Sequence, residues 1–265
     1  FSLKDDSAQV WDKKELLKAS LERNAITGKG GEWHQVMGAD AMVDSQMENV
    51  EGIVRENTVH LENGSLKNGI VTGGIVFVSS NSDPTQLTAT AEKNQVLLKN
   101  MKGDLRVLQA ASARADWDNP NAAKAEAKAN ENTLTVEGGK FTLPATPGVP
   151  PSMMGAEATV STYEGAVAAT EEASKNKVTS SADAVWKDVI GGKVFVSSAK
   201  SDVTATASEN TITLESGTYK DEICGGSVEI KGAKPLDRYE EKKSGKAFAE
   251  AVGNKIDIRG GVYKR

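Results

Sequence analysis

The sequence predicts an all-β chain folded as a parallel β-solenoid of about seven irregular repeats with inserted loops. Three observations carry this: two near-copies of one long segment, an asparagine-headed string that returns seven times, and a two-residue apolar period inside the strings. The copies are GGIVFVSSNSDPTQLTATAEKNQVLL from Gly73 and GGKVFVSSAKSDVTATASENTITL from Gly191. Both run through VFVSS, a variable loop, TATA, two residues and an asparagine.

That asparagine heads the recurring string. It stands at Asn24, Asn57, Asn94, Asn132, Asn176, Asn210 and Asn254, at intervals of 33, 37, 38, 44, 34 and 44 residues. A Gly pair follows most strings, as at Gly30-Gly31, Gly73-Gly74, Gly138-Gly139, Gly191-Gly192, Gly225-Gly226 and Gly260-Gly261. Length varies mainly between the VFVSS-like and TATA-like segments, the pattern of a solenoid with one insertion point per unit.

Inside a unit, Ile212 and Leu214 alternate with Thr211 and Thr213, and Val194 and Val196 flank Phe195. Such alternation, bounded by Gly and Ser, reads as short strands. One unit cannot bury its apolar face alone. Stacked on its neighbours about 4.8 Å apart it can, each strand pairing with its counterpart. In-register stacking brings the seven asparagines into one column, where each side-chain amide can donate to the next side-chain carbonyl. Asparagine also suits a left-handed turn before a strand, so both roles stand open. One coil per repeat makes the stack about 34 Å tall; two coils double it.

Between the strands, residues 109–131 are Ala-rich and charged, and after Asn119-Pro120 they read as a two-turn helix or an irregular loop. Residues 142–155 hold four of the seven prolines and read as an extended loop, and residues 231–246 mix both signs of charge around Tyr239. Residues 1–23 form a separate start. Val10, Leu17 and Leu21 share a helical face, while SAQVWDKK resembles SADAVWKD at 181–188, so a short helix and a degraded coil both fit. The solenoid proper runs over 24–265.

Composition limits the function classes. AVILMFWYC at 38% and charged residues at 26% of 265 residues belong to a folded chain. A net charge of −5, from 32 basic and 37 acidic residues, argues against nucleic-acid partners. One cysteine excludes an intramolecular disulfide framework. The longest apolar stretch, Ile70–Val78, is broken by two glycines and too short to span a bilayer. With Phe1 first and no secretory signal, the chain reads as a processed or excised piece.

No phosphate loop, dinucleotide fingerprint, zinc-protease motif, nucleophile elbow or calcium loop occurs. His34 and His60 are too few for an ordinary catalytic zinc site and read as surface residues. Cys224 reads as a small coil residue, since His60 lies about four units away, roughly 19 Å along the axis. The acids considered for glycoside chemistry are Glu92 with Glu131, and Glu131 with Glu209, near the repeat asparagine. Arg23, Lys93 and Lys175 take the same place elsewhere, so solvated turns of mixed sign are expected; Asp83 and Asp202 read as turn formers. Trp11, Trp33, Trp117 and Trp186 are expected to pack loops onto the coil. No catalytic, cofactor-binding or metal residue is expected, and no cofactor.

Units of the form Asn-x-Val/Ile-x-Ile/Leu-x-Ser/Gly-Gly, followed by Gly-Gly-x-Val, resemble the degenerate repeats in passenger regions of bacterial type V autotransporters and related large surface adhesins. The resemblance covers roughly residues 20–265. It implies a right-handed parallel β-helix displayed outside the bacterial cell, usually working as an adhesin. The chain departs from a complete member in lacking a translocating β-barrel and a finishing cap, and Arg259-Gly-Gly-Val-Tyr263 stops in mid-unit. The expected function is therefore an exported, rigid, non-enzymatic stalk segment presenting loops for adhesion. Expected partners are a host or neighbouring-cell surface protein or glycan, or copies of itself. A carbohydrate-active β-helix enzyme, a lyase or hydrolase, and a self-assembling filament protein are the alternatives.

Overall fold

The computed structural model describes residues 2–4, 16–45, 49–80, 86–117, 124–142, 152–162, 168–198, 202–232 and 246–264. All regular structure in them is β, and every strand pairing is parallel. The strands stack as a β-solenoid in which one repeat makes one rung.

Each full rung has four strand positions. The first holds Leu16–Glu22, Asn49–Arg55, Gln86–Glu92, Lys124–Lys128, Ala168–Glu172, Val203–Thr206 and Ala247–Glu250, which form one seven-stranded sheet. The second position holds the asparagine-headed strings, from Ala25–Lys29 to Lys255–Ile258, in another seven-stranded sheet. The third and fourth positions share the largest sheet, and Ser65–Ser80 and Lys102–Trp117 run through both without a break. Register is kept from rung to rung: Val59, Val96, Leu134, Val178, Ile212 and Ile256 lie in one line.

The alternation read from the sequence decides which side of each strand is inside. In Thr133–Glu137 the inward Leu134 and Val136 are buried and the alternating Thr133 and Thr135 are half-buried. The interior splits into two apolar cores that run parallel to the axis. One lies between the first-position sheet and the fourth-position strands, with Val50, Leu87, Ala127, Val160 and Val196. The other lies between the second and third positions, with Leu61, Leu98, Leu134, Met153 and Trp186. Burying both removes the apolar face of every interior rung from water, the main favourable term for a repeat too small to fold alone.

Residues 109–131, expected as a loop or short helix, are mostly strand: Lys102–Trp117 and Lys124–Lys128 take up two rungs. Their alanines are there for size. Ala111, Ala113, Ala115, Ala125 and Ala127 all point inward with no exposed surface, and stacking overrides the helix propensity of alanine. At the start, Leu16–Glu22 pairs with Asn49–Arg55 and Ser2–Lys4 pairs with Asp40–Ser45, while residues 5–15 lie outside the described residues. Within the expected loops 142–155 and 231–246, Thr142, Ser152–Gly155, Lys231–Gly232 and Lys246 are described, with all but Lys246 in strands; residues 143–151 and 233–245 lie outside the described residues, as do Trp11 and Asp83.

Candidate functional site

The asparagines form one continuous column. Nδ2 of Asn24, Asn57, Asn94, Asn132, Asn176 and Asn210 donates to Oδ1 of the next asparagine over 2.8–3.1 Å. The same Oδ1 accepts from the backbone N–H of the asparagine below, as Asn94 N–H to Asn132 Oδ1 at 2.9 Å. The second amide proton reaches a main-chain carbonyl of the preceding rung, such as Asn132 Nδ2 to Ala91 O at 3.0 Å. Each interior asparagine thereby uses both donors and both acceptor positions of its amide, which is why it can stand fully buried.

The turn itself is made one residue earlier. Arg23, Glu56, Lys93, Glu131, Lys175 and Glu209 have φ between 56° and 59°, and Gly253 completes the set at 66°. The left-handed residue is the charged one, and the asparagine it delivers is the ladder. The Gly pairs at 73–74, 191–192 and 225–226 belong to the same device. A Cβ on Gly74 would lie 2.8 Å from Asn94 Cγ, and one on Gly192 would lie 2.2 Å from Ala173 O and 2.7 Å from Asn210 Nδ2. The glycines leave room for the amide column, which runs between the two apolar cores and separates them.

Charge on the outer surface is ordered by the same register. The left-handed column reads Arg23, Glu56, Lys93, Glu131, Lys175, Glu209, changing sign at every rung. Arg23 bonds Glu56 at 2.9 Å, and that hydrogen bond holds the Glu56 carboxyl below its ordinary range. A second column, Lys29, Glu62, Lys99 and Glu137, alternates too.

The acid pairs considered for glycoside chemistry are not brought together. Lys175 stands between Glu131 and Glu209 in the left-handed column, while Glu92 belongs to the neighbouring column and pairs with Arg55 at 3.5 Å. His60 and Cys224 lie on different sheets four rungs apart. Burial, with Glu222 nearby, pushes the Cys224 thiol above its ordinary pKa, the opposite of what a nucleophile needs. His34 is exposed beside Glu32. Among the described residues no group of three His, Cys, Asp or Glu side chains is placed to hold a metal ion. Trp186 is fully buried, with its ring 5.8 Å from that of Phe141, and Trp33 donates to Gly30 O at 2.9 Å. Asp202 accepts from Lys246 N–H at 2.8 Å.

Sequence reasoning missed Glu171, a carboxyl inside the first core. The signal was present: it breaks the period of its own strand, standing where the alternation demands an apolar residue. A shallow recess of about 420 Å³ on the first-position sheet is lined by Leu16, Asn49, Val50, Glu51, Gln86 and Thr88. Its carboxylate, Glu51, is paired with Lys18 at 3.0 Å. Among the described residues no helix is long and apolar enough to cross a membrane. No protein-family model matches the chain, and no curated protein or solved structure is significantly similar to it.

Proposed function

We propose that the chain is a rigid stalk segment of an exported bacterial surface protein, presenting its inter-rung connections to another surface as an adhesin. The observation that carries this reading is the placement of those connections. Residues 46–48, 81–85, 118–123, 163–167, 199–201 and 233–245 each join a fourth-position strand to the first-position strand of the next rung. The strand ends that flank them recur in register along the axis, and the hydrogen-bonded amide column inside stiffens the stack that carries them. Variable segments on a rigid scaffold are where recognition is placed most readily. The acidic balance, the single cysteine and the repeat, which resembles autotransporter passengers, agree with an extracellular place.

The test replaces 81–85, 118–123 and 233–245, three of these connections, with short Gly-Ser links and measures binding of the purified chain to host and bacterial cells. Retained β circular dichroism with lost binding supports the reading; unchanged binding with all three replaced overturns it. The filament alternative rests on the in-register parallel stacking, the pairing by which copies of such a chain would join. Light scattering that rises with concentration, together with fibres under the microscope, is its expected signature.

A further inference from the structure

We infer that Glu171 makes the fifth rung a proton-held joint, closed while its carboxyl is neutral and opened as the carboxyl ionises. The inward column of the first-position sheet reads Ala19, Gly52, Ala89, Ala127, Glu171, Ala205, Ala249 in strict register. Six rungs place the smallest side chains there and one places an acid. Glu171 is 1% exposed, and neither of its carboxyl oxygens has a hydrogen-bond partner.

Among the described residues no charge answers it. On its own strand Glu172 takes an outward position. On Lys124–Lys128 the charged side chains engage one another, Lys124 with Glu126 at 3.2 Å and Lys128 also with Glu126. Val203–Thr206 has no ionisable residue. Across the core, the fourth-position strands Ser152–Thr162 and Val189–Ser198 turn Ala158, Val160, Val194 and Val196 inward. Their ionisable residues, Glu157 and Lys193, pair outside at 3.6 Å.

A bare carboxylate in such a place costs far more than a neutral acid, so the closed rung binds a proton. Burial pushes the Glu171 pKa from 4.5 up to about 9. The sign follows: between those two values the closed rung holds a proton that the opened rung releases. Opening is therefore least favoured below the lower value, grows easier as pH rises, and levels off above the upper one. The chain then carries near its middle a joint that weakens in alkali, whatever the stalk presents.

The test is hydrogen exchange by mass spectrometry on the full chain from pH 6 to 9, corrected for intrinsic rates. Peptides over 168–180 are compared with peptides over 94–99. For the fifth rung the opening constant should rise by about tenfold per pH unit, the slope of one linked proton, while the 94–99 peptides, where they exchange by opening of their own rung alone, show no such slope. Glu171→Ala installs the residue found on the neighbouring rungs and should abolish the slope; Glu171→Gln keeps the size, removes the titration and should abolish it as well. A flat wild-type profile, or a slope that survives either substitution, overturns the inference.

Discussion

At the scale of the residue, the asparagines show how a polar group can be central to an apolar core. An amide buried alone leaves donors and acceptors unmade, each at about 1–3 kcal/mol. Stacked at rung spacing, each amide completes the next, and the cost reappears only when a member is removed. Asn132→Ala takes the acceptor from Asn94 N–H and Nδ2 and the donor from Ala91 O and Asn176 Oδ1. The expected loss is about 3 kcal/mol or more, from two or three orphaned buried groups. Asn24 is exposed, so Asn24→Ala should cost less than about 1 kcal/mol. Urea titrations of the two variants decide the matter, and equal losses would mean that the column is not what stabilises the turn. Glu171 is the counterexample in the same interior, since its neighbours complete nothing.

At the scale of the element, what could be read in advance was whatever stacking repeats. The seven asparagines, the VFVSS strands and the two-residue period all recur because every rung solves the same packing problem. Less legible was anything fixed by contacts between rungs. The alanines of 109–131 look helical in isolation, and only the column of alanines and valines they join explains their size. The Gly pairs at 73–74, 191–192 and 225–226 could be counted but not explained, because the reason lies in an asparagine of the next rung, 18–29 residues on. The charged residue before six of the seven asparagines looked like a solvated turn, and its left-handed φ assigns it the turn. Gly192→Ala tests the link between glycine and asparagine. Its new methyl would meet a backbone oxygen at 2.2 Å, which cannot swing aside as a side chain does. A loss of about 1–3 kcal/mol or more is expected from overpacking, read as a lower thermal midpoint. Gly30→Ala has open space around it and only the strain of φ 71°, so it should cost about 1–2 kcal/mol. A Gly192→Ala variant as stable as wild type would remove the steric account.

At the scale of the whole molecule, a solenoid is nearly one-dimensional, because each rung touches only the rungs above and below it. Its cooperativity is the chain of those interfaces, and the amide column runs through all of them. The alternating charges Arg23 to Glu209 add a constraint of another kind: a slip by one rung sets like signs against each other along the column. Exposed pairs of this sort contribute little stability, so their use is to disfavour the wrong register rather than to strengthen the right one. Strength then rests on the interior, and one damaged interface should divide the stack. In the intact chain, peptides 58–62 and 211–214, on the second and sixth rungs, are expected to lose protection at one urea concentration. Asn132→Ala weakens the interfaces of the fourth rung with both neighbours, and a one-dimensional array whose middle coupling falls behaves as two shorter arrays. Pulse-labelled hydrogen exchange along a urea series should then show the two peptides opening at separate midpoints. If they still open together, long-range coupling does not pass through the asparagine column, and the outer strand ladders carry it instead.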